Sequence, residues 1–399
     1  MSVLYVSHGH PDFAKGGGEL AAWRLFEAFR QRSGFEGCGF LAAASSPDQL
    51  PAGSEVLGLG PDEWLIKRSP NPFFHDTAVN LSCGGQLHQA LAGRSFQIIH
   101  LHHYLHVGID LVLALKRWFP KAKLLLTLHD YWGPCVYEGR LLRASGELCS
   151  GGDPESCDRC LGGGRRGELA IRARRLQRLF EVIDHLLCPS FFLKKRYLDW
   201  GVDPKNISVI ENLPAELYEE NTIELCHQEG PLVIGFFGQI NPWKGLDFLI
   251  KSVHLARDKG VEIVLEVNGV GSANHESVQG VRFNGAYSPD ELAARMNRVH
   301  AVAMASIWFE NSPMVIQEAY YYGRPVIAPD LGGMAEKVHH EVTGLLFTPG
   351  DLESMVHMIE RLSRNNDLLN TLSSGARCQS KKTLRMLPLH QEFYESLLL

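Results

Sequence analysis

Residues 309–329, FENSPMVIQEAYYYGRPVIAP, decide the fold. The stretch reads as loop, helix, turn and strand. Ser312 is the expected N-cap, and Pro313 suits the first helical position because its missing N–H would be unpaired there anyway. The helix is predicted over 314–322. Gly323 supplies the left-handed conformation that stops it, and PVIA follows as a short buried strand. The amides of Met314 and Val315 then point out of a helix start, where phosphate is favoured. Glu310 lies just before that anion site and Glu318 lies two turns inside the helix, so one carboxylate flanks each side of a bound diphosphate ester. An amphipathic helix with two solvated acids gives the same spacing. The capped start and the strand beyond it favour the binding reading.

Outward from this stretch the same unit recurs. With 399 residues, the chain is long enough for two domains. A strand over 2–7 runs into HGHPDFAKGGGE and a helix over 19–30. Gly16, Gly17 and Gly18 let the backbone turn sharply beside a ligand. No Gly-Lys-Ser/Thr follows, and the G-x-G-x-x-G spacing is absent, so neither a Walker loop nor a dinucleotide fingerprint is present. Further strands are predicted over 38–44, 98–102, 123–128, 185–189 and 207–210. Residues 45–95 are weakly patterned and hold Pro47, Pro51, Pro61, Pro70 and Pro72. Strand ends of a parallel sheet face the ligand crevice, which gathers His8, His102, His103 and His129 at one cleft; a metal cluster is the alternative reading of these histidines. Residues 214–231 are acidic and polar, the best linker. After them strands are predicted over 232–237, 262–267, 281–284 and 301–305, with glycine turns at Gly238 and Gly269 and a lysine, Lys244, beside a helix start, where it can neutralise a diphosphate. Strands alternating with helices twice over give two doubly wound α/β domains facing each other across a cleft: 1–213, with an insertion at 131–167, and 214–380. A last helix, 381–399, is expected to return to the first domain.

Composition is that of an ordinary soluble chain, 45% apolar and 21% charged. A net charge of −6 gives no support for nucleic-acid binding. No apolar run approaches the roughly 20 residues of a membrane span, and the N-terminus reads as a first strand, not a signal peptide. Nine cysteines, an odd number, favour a reducing compartment, so the expected location is the cytoplasm. Four of them, Cys135, Cys149, Cys157 and Cys160, fall in the insertion. Their number suits a structural zinc, although only Cys157 and Cys160 form a C-x2-C pair; unrelated buried thiols or disulfides are the alternatives. Residues 165–180, RRGELAIRARRLQRLF, form a basic amphipathic helix with Leu169, Leu176, Leu179 and Phe180 opposite Arg172, Arg174, Arg175 and Arg178. It is either a peripheral contact with an anionic membrane face or a solvated helix over the core.

These residues resemble the family 4 glycosyltransferases of the GT-B fold. The resemblance spans nearly the whole chain. Its matching pieces are Gly16-Gly17-Gly18-Glu19, Thr127-Leu128-His129-Asp130, Pro189-Ser190, Val209-Ile210-Glu211-Asn212, Phe237-Gly238 with Lys244-Gly245, Gly269-Val270-Gly271, Glu310 with Glu318, and Gly332-Gly333 with Glu336. The cysteine-bearing stretch after Tyr131-Trp132 looks like an insertion found in part of the family. The resemblance implies a nucleotide-sugar donor in the second domain and a glycan, lipid-linked or small-molecule acceptor in the first. It implies transfer with retention and no catalytic metal. Glu318 would hold the ribose, Glu310 the donor sugar, and Lys244 with the Met314 and Val315 amides the diphosphate. Gly17 would approach phosphate or acceptor, His129 would face the donor sugar, and Tyr287 would sit near the base. Gly18, His102, His103 and Asp130 belong to the acceptor side. One departure stands out: Gln239 occupies a position where the family usually has arginine, and a neutral amide cannot clamp phosphate bidentately. His8, Lys15 and Arg324 are candidate substitutes. A sugar-nucleotide epimerase and a non-catalytic GT-B subunit are the competing readings; a dehydrogenase lacks its fingerprint here.

Overall fold

The structure is a computed structural model, and it describes residues 1–14, 16–71, 73–214, 230–271 and 278–399. Lys15 and most of the linker stretch 214–231 lie outside the described residues. The chain divides into two compact units, one formed by residues 1–213 with 386–399, the other by residues 214–385.

The first unit contains β1 (Val3–Ser7), α1 (Gly17–Arg30), β2 (Gly39–Ala43), β3 (Val56–Gly60), β4 (Glu63–Ile66), α2 (Gln86–Ala90), β5 (Ile98–Leu101), α3 (Ile109–Trp118), β6 (Lys123–Thr127), α4 (Pro154–Cys160), α5 (Arg166–Val182), β7 (His185–Cys188), α6 (Phe191–Asp199) and β8 (Ile207–Val209). Its eight strands run in the order β3-β4-β2-β1-β5-β6-β7-β8. All pairs are parallel except β3 with β4. That hairpin falls in the stretch the pattern left unassigned; its alternation, VLGLG then EWLI, is short and half-exposed. The central strand β1 is buried along its whole length, as a strand covered by helices on both faces must be. Leu4 and Val6, fully buried, each stabilise the fold by about 1.5–3 kcal/mol.

The second unit contains β9 (Leu232–Phe237), α7 (Leu246–Asp258), β10 (Ile263–Asn268), β11 (Val281–Gly285), α8 (Pro289–Met296), β12 (Ala301–Ala303), α9 (Met314–Tyr321), β13 (Val326–Pro329), α10 (Gly332–Lys337), β14 (Gly344–Phe347), α11 (Leu352–Ser363) and α12 (Asn366–Thr383). Its parallel sheet has the order β11-β10-β9-β12-β13-β14. The edge strand β14 was not expected from the sequence. The final helix α13 (Met386–Leu398) belongs to the first unit, where the Tyr394 hydroxyl bonds His100 Nδ1 at 2.7 Å. No helix among the described residues is long and apolar enough to cross a membrane.

Both sheets reverse their order at one place, between β1 and β5 in the first unit and between β9 and β12 in the second. Ligands of open α/β sheets bind outside the carboxyl ends of strands at such switch points. The residues there are His8, His102 and His103 in the first unit, and the loops from Gly238 and from Met304 in the second.

Candidate functional site

In the second unit the switch point is built from two loops. After β9 the chain turns at Gly238, and Asn241 accepts hydrogen bonds from the amides of Trp243 and Lys244, both at 3.1 Å. This cap fixes a short 3-10 turn, Pro242–Lys244, and with it the lysine. The Ile307 amide bonds the Trp243 carbonyl at 3.0 Å, tying in the loop after β12. Lys244 Nζ then donates to Glu310 Oε1 at 2.6 Å, joined by Ser306 Oγ at 2.7 Å and Trp308 Nε1 at 3.0 Å. Burial alone would raise the Glu310 carboxyl, but the Lys244 ammonium and these donors hold it below its ordinary value. Lys244 and Glu310, expected as separate diphosphate and sugar contacts, thus form one ion pair.

The helix start differs from the expectation. Ser312 is not the cap: α9 begins at Met314 with Pro313, in extended ψ, as its N-cap and no side-chain cap bond. Ser312 is buried and its Oγ has no hydrogen-bond partner. Pro313 itself, at ψ +117°, is not helical, so the helix starts one residue later and Ser312 falls outside the capping position. The helix still presents the first-turn amides of Met314 and Val315, and Gly323 at φ +64° ends it. One carboxylate turn further along, Glu318 is an electrostatic neighbour of Tyr287, whose hydroxyl is raised by burial first and then by that charge. Tyr287 stands edge-on to Phe237 with ring centroids 5.9 Å apart.

The loops after β10 and β11 complete this side. A Cβ on Gly269 would lie 1.8 Å from the Gly238 carbonyl oxygen, so only glycine permits the two turns to touch. Arg295 of α8 was not singled out in the sequence, where it reads as one more charge on an amphipathic helix. Its guanidinium bonds Asn268 Oδ1 at 3.1 Å and the carbonyls of Asn284, Gly285 and Ala286 at 3.1, 3.2 and 2.8 Å, and lies over the Tyr287 ring. Gln239 is exposed. Arg324 does not replace the missing arginine: it is buried and donates to Asn297 Oδ1 at 3.2 Å.

In the first unit His8 Nε2 lies 3.0 Å from Glu19 Oε1, in the first turn of α1, whose start at Gly17 is exposed. A Cβ on Gly18 would meet the His8 ring at 3.2 Å and the His129 ring at 3.5 Å. Glu19 and Asp130 are both disfavoured as anions by burial, yet held below their ordinary values, chiefly by His8 and His103 respectively. His103 Nε2 bonds Asp130 Oδ2 at 2.8 Å. His102 Nδ1 bonds His129 Nε2 at 3.0 Å. His102 and His103 are themselves buried behind these two partners. Burial, with the neighbouring His103 and His8, lowers His129 to about 3, so it is neutral at physiological pH.

The basic helix reads differently in three dimensions. Arg172 is buried with Leu169, Leu176 and Leu179 and donates to the carbonyls of Trp132 and Gly133. Arg175 bonds the Phe74 carbonyl and lies 2.8 and 3.0 Å from Asp76 and Asp110. These two arginines therefore do not belong to a charged outer face. Cys135, Cys149, Cys157 and Cys160 line one small cavity as free thiols. Among the described residues no three ligating side chains stand in metal-coordination geometry.

Comparison with known proteins agrees with this geometry. The model of "Glycosyltransferase Family 4" matches residues 15–213 and that of "Glycosyl transferases group 1" matches residues 231–365. The chain belongs to the family 4 glycosyltransferases, and its two parallel-sheet units are those of the GT-B fold. A D-inositol 3-phosphate glycosyltransferase of Streptomyces bingchenggensis is 26% identical over 70% of the chain, and the match spans 62% of that relative. Sucrose-phosphate synthase from Thermosynechococcus elongatus has a TM-score of 0.68 at 18% identity, covering 100% of this chain and 99% of its own. Anabaena Alr3699/HepE, solved in complex with UDP, has a TM-score of 0.65 at 18% identity with the same coverage. At these identities the two structures speak for the fold alone.

Proposed function

We propose that this family member transfers a sugar from a nucleoside-diphosphate sugar to an acceptor hydroxyl with retention of configuration. The observation that carries the proposal is the Lys244–Glu310 pair beside the first turn of α9, with Glu318 and Tyr287 beyond it. A helix start and a lysine suit a diphosphate, whose charge grows as the leaving group departs. Glu318 suits the ribose hydroxyls and Tyr287 the base, while Glu310 meets the donor sugar. His129, neutral, offers a hydrogen bond without repelling a sugar that gains positive charge. The cluster of His8, Glu19 and Asp130 is the acceptor side, for a glycan, lipid-linked or small-molecule hydroxyl.

Retention by double displacement needs a free carboxylate nucleophile. Glu310 Oε1 already accepts three hydrogen bonds, one from an ammonium, which lowers its nucleophilicity. Attack from the face of the leaving group fits better: the acceptor oxygen bonds to the anomeric carbon as the bond to phosphate breaks, and the departing phosphate takes the acceptor proton. Proton NMR of the product formed from an α-linked donor tests this. An α-linked first product supports the proposal, and a β-linked one refutes retention. If no donor on a nucleotide-sugar panel loses its sugar, the chain is a non-catalytic GT-B subunit, the reading that Gln239 favours.

A further inference from the structure

We infer that Cys135, Cys149, Cys157 and Cys160 form a structural zinc site that clamps the insertion following Asp130. The four come from three separate pieces of chain, yet all line one cavity. Cys157 and Cys160 are three residues apart in α4 and so share one face of it. Cys149 is set by a small hairpin in which its amide bonds the Leu141 carbonyl at 2.8 Å and Leu142 pairs with Leu148.

Cys135 is held by a tightly bent turn. The chain after it bends through three left-handed residues, Glu138 at φ +52°, Gly139 at φ +64° and Leu141 at φ +49°. Such backbone is costly outside glycine and persists only where the surroundings require it. Here it brings the Leu141 amide to 3.4 Å from Cys135 Sγ, while the thiol itself donates to the Tyr137 carbonyl at 3.6 Å. An amide donor at a ligating sulfur helps to fix a metal thiolate.

Charge and packing agree. Four thiolates on Zn²⁺ leave a net charge of about −2, and the buried Arg172 is an electrostatic neighbour of both Cys135 and Cys157. The insertion buries few large apolar side chains, Tyr131, Leu141 and Leu142 chief among them. A short segment with so little core needs a staple. The cavity is small, which suits a single ion over a cluster. The thiols do not stand in coordination geometry, so binding draws them in by side-chain rotation to about 2.3 Å from the metal. Each thiol gives up its proton to solvent as its sulfur binds, with no change of oxidation state.

The test uses the full chain purified under reducing conditions with Zn²⁺ present. The expected content is about one zinc per chain, released in step with four thiols on titration with a mercurial, and exchange with Co²⁺ gives the visible bands of a tetrahedral thiolate site. Cys157→Ser lowers the zinc content to below about a tenth, while Cys378→Ser, at an exposed cysteine, leaves it unchanged. Should Cys157→Ser not fold, the wild-type metal count and thiol titration decide alone. Four thiols that titrate without releasing zinc overturn the site, and so does a chain whose mass shows two disulfides. Neither readout depends on sugar transfer.

Discussion

Glu310 in the second unit and Glu19 in the first are both buried carboxylates at a turn between strand and helix, but their partners differ. Glu310 faces a lysine, and its loop is pinned by Ser306 and Trp308. Glu19 faces His8, in a neighbourhood that also holds His102, His103 and His129. Lysine keeps its charge across the physiological range, whereas histidine does not. The second unit therefore presents a charge pattern fixed for a phosphate anion. The first pairs its carboxylates, Glu19 and Asp130, with histidines beside a neutral His129, which suits a hydroxyl acceptor.

The strongest test of this contrast removes the fixed charge. Lys244→Ala is expected to lower kcat/KM by about 10²–10³-fold, the loss seen when one preorganised donor is removed. It also leaves Glu310 buried without its cation, at a cost to stability of about 1–3 kcal/mol by denaturant unfolding. The double variant Lys244→Ala with Glu310→Gln recovers that stability and not the activity. A double variant that recovers both would mean the pair is structural.

Acid is the next lever, and it acts mainly on the other unit, since in the second only His300 among the described histidines is lowered by burial. Burial lowers His75 to about 2, His106 and His129 to about 3 and His390 to about 4, all in the first unit. Each binds fewer protons folded than unfolded, so its contribution to stability is lost as pH falls from the ordinary 6.5 towards those values. Hydrogen exchange at about pH 5 should show β5 and β6 losing protection before β9 and β10. Simultaneous loss in both units would contradict the division. Gly269→Ala is expected to cost about 1–3 kcal/mol and to weaken donor binding about tenfold, since its Cβ would meet the Gly238 carbonyl. The smallest effect is a gain: Gln239→Arg tightens donor binding by about tenfold or less, read by calorimetry, if this exposed position faces the diphosphate.

The parts of this architecture legible in the sequence are those written by periodicity and punctuation. The strand–turn–helix order, the glycine turns, Glu310 with Glu318 and the histidines at strand ends all depend on near neighbours in the chain. What could not be read depends on distance. Lys244 and Glu310 are 66 residues apart, and nothing local says that they bond. Arg295 reaches loops on two other strands, and Arg172 turns inward from a helix whose composition suggests an outward charged face. The hairpin β3–β4 and the strand β14 are short edge elements with weak patterns. Ser312 illustrates a local rule overruled locally, because Pro313 took the capping position itself.

The most direct test of the account is titration of UDP-glucose, with other nucleotide sugars alongside, into the wild-type chain and into Glu318→Ala and Lys244→Ala. The account predicts that one donor binds the wild type and that each variant weakens it by about tenfold or more. Equal affinity in all three proteins would place the donor away from α9 and contradict it.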